Sequence, residues 1–519
     1  MHKKLFRPIK VGGATAIIAV SSFLSYAVGL FRDNRIAQHF GTTSQTDVYN
    51  ASFLVPDILF NLFIAGALAA AFLPVFTEYV EKDKKEGIKL ANTMLTSATL
   101  LISFLAVIAF IFMGKIVPYI FNSIDPALQK DIINLTRLML PSAILFAISN
   151  TLGNILMSYK HFTAYAISPI LYNLGIILGV SFFADEFGIY SAAIGVLVGA
   201  ILHCIIRIID IFSTEYKYKP SLKISHPGFK RILKLMLPKS IGLIAWQINL
   251  YIFTIVGIRM MEGGLAAFHF ARNIQSFAVS LFGIAFATAV FPYLASAIGR
   301  NDKKAYTQHI QKTIQRILFF TIPAMIGVML LAQPLVELIL GGGVFDEESI
   351  KLTSLVLFFF ALSIPFESLS HILARSFYAL QNTITPMLIN VGCMILIALS
   401  TIFIAPNYGI KWFSIGFSLA FILYVFLMIF FLRKQLKGFE FKKFFSSLAK
   451  TILATGIMAI IILLANPIET ILPLRLAHIS RIFIGGGTFL FIAYLLKSPE
   501  ISSINFILKK VFKKNSNVG

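Results

Sequence analysis

Apolar stretches of about 20 residues recur from Val11 almost to the C-terminus, each long enough to cross a hydrocarbon layer roughly 30 Å thick. No water reaches peptide groups in such a layer, so a spanning segment must satisfy its N–H and C=O groups internally. Segments of this length do so as helices, and the expected fold is an all-α polytopic membrane protein. Composition agrees: of 519 residues 57% are hydrophobic and 13% charged, with a mean hydropathy of +0.83, which excludes a water-soluble chain. The basic start at Lys3, Lys4 and Arg7 precedes an apolar segment too long for a signal h-region, so a retained first span is expected. Cys204 and Cys393 lie inside apolar stretches, which argues against a disulfide framework or a cysteine metal site.

A window of roughly 19 residues places spans near 12–40, 47–77, 87–113, 131–158, 162–184, 188–213, 232–259, 264–298, 305–332, 350–378, 384–405, 410–432, 445–466 and 476–496. Fourteen helices are expected. Their connectors alternate in charge. Lys82, Lys84, Lys85, Lys89, Lys160, the 217–234 segment, Arg300, Lys303, Lys304, Arg433, Lys434, Lys442 and Lys443 fall with both tails on one side. The other side holds few cations and the acidic runs Asp185-Glu186 and Asp346-Glu347-Glu348. The positive-inside rule then puts both termini in the cytoplasm of a multi-pass protein of the cytoplasmic (inner) membrane. The net charge of +22 is thereby spread along an inner membrane face, where anionic headgroups attract it, and no nucleic-acid partner is expected.

The chain also repeats itself. Phe72-Leu73-Pro74 recurs as Val290-Phe291-Pro292, Asp83-Lys84-Lys85 as Asp302-Lys303-Lys304, and the 169–175 run as 386–392, at offsets of 217 to 219. Three collinear anchors make chance similarity a poor explanation. Each repeat holds six helices and so returns to its starting side, giving lobes related by an axis along the membrane normal, a transporter-like plan. The expected division is an N-terminal lobe at 1–216, a basic linker at 217–231, a C-terminal lobe at 232–444, and two additional helices with a basic tail at 445–519.

The residues Gly29-Leu30-Phe31-Arg32-Asp33, Phe40-Gly41, Thr46-Asp47, Pro56 and the 66–74 run form the first part of a wider pattern. It continues through Arg137, Pro141, Gly153, Phe162, Pro169 and Asn173, then Gly343-Val344-Phe345-Asp346 and the 377–386 run. With these motifs the sequence resembles the MurJ-type lipid II flippases of the multidrug, oligosaccharidyl-lipid and polysaccharide exporter superfamily, over roughly residues 12–465. The resemblance implies alternating-access transport of a polyprenyl-diphosphate-linked saccharide, lipid II, to the outer leaflet, with no enzymatic step and no cofactor. Coupling to membrane potential, a proton or a sodium ion stays open. Membrane lipids and cell-wall synthesis proteins are the partners it implies.

Arg32 and Arg272 match cavity arginines of that family, and Asp33 and Asp47 match acids beside them. Buried guanidinium can offer a fork of donors to diphosphate while staying charged. The two arginines read as occupying equivalent places in the repeats. The pattern departs where Tyr26 and Asn61, expected to line the same substrate cavity, replace further arginines and Ala65 replaces a glutamate. Asp57 adds a carboxylate four residues before Asn61, a candidate for the coupling cation or proton. Glu367, His371 and Arg375 are spaced four apart, so they share a helix face and form a second candidate relay, with Glu367–His371 preferred. His203, Arg207 and Asp210 read as an interfacial set without function, and Gly341-Gly342-Gly343 as a flexible connector. Two other functions compete with the flippase: a cation-coupled exporter of amphiphiles, and a membrane glycosyltransferase or non-transporting scaffold. No connector is long enough for a catalytic domain. Cysteines placed singly at 84, 219 and 434 should resist an impermeant reagent applied outside intact cells, and cysteines at 185 and 347 should react. Outside labelling at 219 would break the fourteen-helix topology.

Overall fold

The computed structural model describes residues 11–61, 66–436 and 438–501, with side chains other than those at 11–16, 19, 66–70 and 237–246. The first half contributes α1 (Val11–Phe40), α2 (Ser44–Ser52), α3 (Leu54–Phe60), α4 (Gly66–Lys82), α5 (Lys84–Ile120), α6 (Pro126–Ser158), α7 (Thr163–Phe187), α8 (Tyr190–Ile211) and α9 (Pro227–Met260). There follow α10 (Gly264–Ala278), a π-helical turn (Val279–Ile284), α11 (Ala285–Gly299), α12 (Lys303–Leu330), α13 (Ala332–Leu340), α14 (Glu347–Ala361) and α15 (Ser363–Ala379). The last part holds α16 (Ile384–Leu399), a second π turn (Ser400–Ile404), α17 (Ala405–Tyr408), α18 (Lys411–Leu432), α19 (Phe441–Leu464), α20 (Ile468–Ile471) and α21 (Leu474–Leu495).

Among the described residues ten helices are long and apolar enough to cross a membrane, and α14 with α15, bent by 45°, makes an eleventh. The three other expected spans correspond to α1, α9 and the interrupted run α2–α4, so the count of fourteen holds approximately. The interruption has a chemical cause. Pro56 has no N–H for the carbonyl of Ser52 four residues back, and the Thr136 hydroxyl donates to that oxygen instead, at 3.1 Å. Pro365 sits in the first turn of α15, where its missing donor is least costly, just after the bend.

The repeat is structural in its details. Asp83 caps α5 by accepting from the backbone N–H of Lys85 at 2.8 Å, and Asp302 caps α12 by accepting from Ala305 at 2.9 Å. Pro74 and Pro292, the paired prolines, each lie inside a helix.

Two compact units emerge, Met1–Ala267 with Leu340–Ser349, and Phe268–Ile339 with Ile350–Gly519. This packing division runs along different lines from the repeat, since α9 packs on α4 within the first unit. The segment at 217–231 is also more than a tether: Tyr218 pairs with Thr96 and Ser221 with Thr93, both at 3.0 Å, along α5. In the second unit α19 and α21 pack on α12 around Phe319, Met458, Ile462 and Phe489. Lipid chains are as apolar as these side chains, so close packing rather than water exclusion holds such helices together.

The tightest case is α7 against α8, where Gly175, Gly179, Gly195 and Gly199 form small-xxx-small pairs. A Cβ on Gly175 would lie 2.3 Å from the Gly199 Cα. Gly175→Leu should therefore cost about 1–3 kcal/mol of stability, the usual range for overpacking, seen as a lower unfolding midpoint in detergent. Its repeat counterpart Gly392 has open space around its Cβ position, and Gly392→Leu should leave the midpoint nearly unchanged.

Candidate functional site

Charges in membrane-spanning helices are the residues that packing alone cannot explain, and each unit holds such a group. In the first, Arg32 of α1 donates through Nε and Nη2 to Asp33 Oδ1 at 3.0 and 2.6 Å, and through Nη1 to Asn173 Oδ1 of α7 at 2.9 Å. Asn173 is itself anchored, its amide donating to the Pro169 carbonyl at 3.1 Å. The Arg32 side chain keeps 23% exposure while Asp33 keeps 6%. The arginine is thus held in place by a buried acid yet remains reachable.

The second unit repeats this logic with stricter geometry. Arg272 of α10 donates from Nη1 and Nη2 to the two oxygens of Glu367 on α15, at 3.0 and 2.8 Å, a bidentate fork. Gln275 Nε2 donates to Glu367 Oε2 and to Ser363 Oγ, both at 2.8 Å, and its Oε1 accepts from Arg272. The Phe417 ring lies under the guanidinium at 4.6 Å. Arg272 and Arg32 do not occupy equivalent repeat positions, because an offset of 218 pairs Arg272 with Leu54. They share a chemical device.

That pairing also redraws the expected relay. Glu367 is engaged by Arg272 and Gln275, and among the described residues no hydrogen bond joins it to His371. Arg375 instead donates from Nη2 to Thr288 Oγ1 at 2.9 Å and from Nη1 to the His371 backbone carbonyl at 3.4 Å. A shared helix face brought these three side chains near one another without connecting them.

Asp47 takes a structural position. Its two oxygens accept from the backbone N–H groups of Gly263 and Ala266, each at 2.7 Å, so the carboxylate caps α10. Gly263 has φ +71° and lies where a Cβ would meet the Thr42 carbonyl, which explains the residue type. The 341–343 connector is likewise fixed, with Val344 N–H donating to the Gln38 carbonyl at 2.9 Å. Beside it the exposed Asp346 accepts from Ser349 N–H at 2.9 Å, a contact that lowers its carboxyl pKa below the ordinary value.

Asp57 and Tyr26 line a cavity of about 570 Å³ inside the first unit. Asn61 goes elsewhere and donates to Gln247 Oε1 at 3.2 Å. Ala65 lies outside the described residues. Two residues expected at an interface, His203 and Arg207, are buried and line the same cavity as Asp57. Arg207 donates to Ser168 Oγ and the Ser149 carbonyl, both at 2.9 Å, and stacks on Tyr165 at 5.1 Å. Asp210 is fully buried and pairs with His161 at 2.8 Å, so it belongs to the packing of the lobe. The four-residue spacing of His203 and Arg207 on an apolar helix was the signal for them, the same one that marked Glu367 and His371. Among the described residues Asp57 has no side-chain partner, which leaves its carboxylate facing the cavity. No group of three or more metal-ligating side chains occurs among the described residues.

Comparison with known proteins bears on this arrangement. A family model described as Lipid II flippase MurJ matches residues 36–474, more than four fifths of the chain. The Burkholderia cenocepacia lipid II flippase MurJ is 26% identical over 405 residues, covering 76% of this chain and 78% of its own. A Thermotoga maritima protein named as a probable lipid II flippase MurJ is 26% identical over 494 residues, 94% of this chain and 98% of its own. A solved lipid II flippase MurJ in an inward closed conformation superposes with a TM-score of 0.81 at 25% identity, over 94% of this chain and all of that one. A multidrug-resistance MATE transporter of the MOP superfamily shares the fold, with a TM-score of 0.66 at 14% identity over 83% of this chain and 99% of its own.

Removing one partner of a buried fork strands the other charge, at a cost of about 3–5 kcal/mol. Glu367→Ala and Arg272→Ala should each lower the unfolding midpoint. The double variant should recover part of the loss, a non-additivity that thermal unfolding of the four proteins measures.

Proposed function

Because the chain belongs to the MurJ lipid II flippase family, we propose that it carries lipid II, a polyprenyl-diphosphate-linked saccharide, from the inner to the outer leaflet of the cytoplasmic membrane. It is a multi-pass membrane transporter rather than an enzyme, and lipids are its surroundings as well as its cargo. The observation that carries the reading is the pair of intramembrane arginines, each bound to an acid of its own unit but still partly exposed, at 23% and 19% of the side chain. Diphosphate oxygens offer such a guanidinium the same charge-assisted, fork-shaped contacts that the carboxylate provides. Substrate therefore exchanges one anion for another at Arg32 and Arg272, and neither state leaves a bare cation in hydrocarbon. Asp33 and Glu367 act as stand-in anions in the empty transporter.

Charge alternation among the connectors supports placing both termini in the cytoplasm. Loading then occurs from the side on which lipid-linked precursors are made. Cell-wall synthesis proteins enter this proposal as partners, supported by the chemistry of the substrate alone.

Return of the empty carrier calls for a coupling step, and Asp57 is the better candidate for it. Glu367 already has an arginine and an amide against its oxygens, whereas the Asp57 carboxylate faces a cavity and can take up a proton or a sodium ion. The same open acid gives the exporter reading its foothold, since a carboxylate among Tyr26, Tyr165 and Tyr172 suits an organic cation.

Arg32→Ala and Arg272→Ala should each abolish lipid II flipping in proteoliposomes at normal insertion, and lysine at either site should restore it only in part, because a point charge replaces a fork. Full transport by both alanine variants would overturn the diphosphate assignment. Asp57→Asn should leave lipid II binding near wild type while flattening the response of flipping to pH or to an imposed potential. An unchanged response would remove Asp57 from the coupling step.

A further inference from the structure

The cavity of about 570 Å³ inside the first unit holds two opposite charges that do not meet. Asp57 lines it from α3 and Arg207 from α8, and among the described residues neither has an ion-pair partner. Arg207 is 2% exposed, so no solvent screens it. A guanidinium stays charged when buried, and one without an anion is costly to keep. The other polar side chains on these walls, among them Tyr26, Tyr165, Tyr172 and His203 in its neutral form, carry no charge. Asp57 is thus the single anion among the described residues that line the cavity, and the Arg207 end has none of its own.

The hydrogen bonds of Arg207 select the shape of the anion that fits. Nε donates to Ser168 Oγ at 2.9 Å, and Nη1 donates to the Ser149 carbonyl at 2.9 Å and to Asn150 Oδ1 at 3.0 Å. Nη2 is left without an acceptor among the described residues. Each two-nitrogen edge that includes Nη2 therefore has its other nitrogen occupied, and a fork-shaped contact with carboxylate or phosphate, of the kind Arg272 makes with Glu367, is blocked. Asn150 supplies a second donor. Arginine can only donate, so it fixes the Asn150 amide with its oxygen towards the guanidinium and its nitrogen turned away. That nitrogen, Nδ2, is buried and has no acceptor among the described residues. A buried N–H left in this state costs the desolvation of the group without a bond in return.

Two N–H groups that each need one acceptor, with one positive charge to balance, describe a site for a spherical monovalent anion. The remaining walls suit a weakly hydrated one, because Phe53, Phe60 and Phe146 offer nothing to a hydration shell. Asp57 and such an anion are alternatives. While Asp57 is ionised, the charge of Arg207 is balanced from across the cavity. Once Asp57 has taken up a proton or a cation, the cavity carries a net positive charge, and an entering anion restores neutrality. By linkage the anion then favours the neutralised Asp57 to the same degree.

We propose that the Arg207 and Asn150 end of this cavity binds a chloride ion, and that it does so together with the proton or cation taken up by Asp57. Only the second half rests on the coupling role given to Asp57, and the first is tested without it. The experiment follows the unfolding midpoint of the full chain in nanodiscs against chloride concentration, with gluconate holding the ionic strength constant, and locates bromide by anomalous diffraction from crystals. Chloride and bromide should stabilise the wild type saturably, with bromide beside Arg207 Nη2 and Asn150 Nδ2. Asn150→Asp keeps the acceptor for Arg207, replaces the orphaned donor with an oxygen and gives the guanidinium a counter-charge. It should be at least as stable as wild type without chloride and bind chloride on the order of a hundredfold more weakly. Asp57→Asn should bind chloride roughly tenfold more tightly, since one negative charge leaves a cavity of low dielectric. No chloride response in the wild type, an equal response in a folded Asn150→Asp protein, or bromide found only elsewhere overturns the site. Equal stabilisation by acetate overturns the halide assignment, and unchanged affinity in Asp57→Asn overturns the link to Asp57. No lipid II is present in these measurements, so their outcome is independent of the flipping assays.

Discussion

A guanidinium in hydrocarbon persists only if an anion and hydrogen-bond acceptors answer it, and the fork between Arg272 and Glu367 meets that requirement completely. Its two parallel bonds, the amide of Gln275 across the carboxylate and the Phe417 ring beneath the cation turn a costly residue into a stable one. The first unit reaches the same end by other means, with Asp33 adjacent in sequence and Asn173 from a neighbouring helix. Everything proposed about transport depends on this balance. A carboxylate that fully satisfies an arginine in the empty protein is also the competitor that a phosphate must displace.

The scaffold has to present these charges without exposing backbone to lipid. Where the chain bends it does so at proline, and the orphaned acceptor finds another donor, as Ser52 finds Thr136. Where helices must approach closely they use glycine, as α7 and α8 do. The π turn at Val279–Ile284 separates α10, which carries Arg272, from α11, and Gly283 within it lies where a Cβ would strike Ser368 on the helix that carries Glu367. The close approach of these two helices is what permits so short an ion pair.

Much of this was legible from residue order. Span length and connector charge are strong, local signals that delivered the helices, while collinear residue matches carried the repeat and the resemblance to the family. Pairing was less legible because helical spacing reports only neighbours on the same helix. Glu367 was grouped with His371 by a separation of four residues, while its actual partner Arg272 lies 95 residues away. Asp47 resembled a cavity acid because its role as a cap becomes visible only when the turn at Gly263 is placed beside it. His203 and Arg207 looked interfacial because their position near the end of a span was read without the tyrosine and serines that bury them.

The central claim is that Glu367 occupies Arg272 in place of substrate. The affinity of the protein in nanodiscs for undecaprenyl diphosphate, compared between wild type and Glu367→Gln, tests it most directly. Glutamine keeps the shape and removes the competing charge, so the account predicts tighter binding, by roughly tenfold for one charge-assisted contact released. Unchanged or weaker binding by a folded Glu367→Gln protein would contradict it and assign the fork to stability alone.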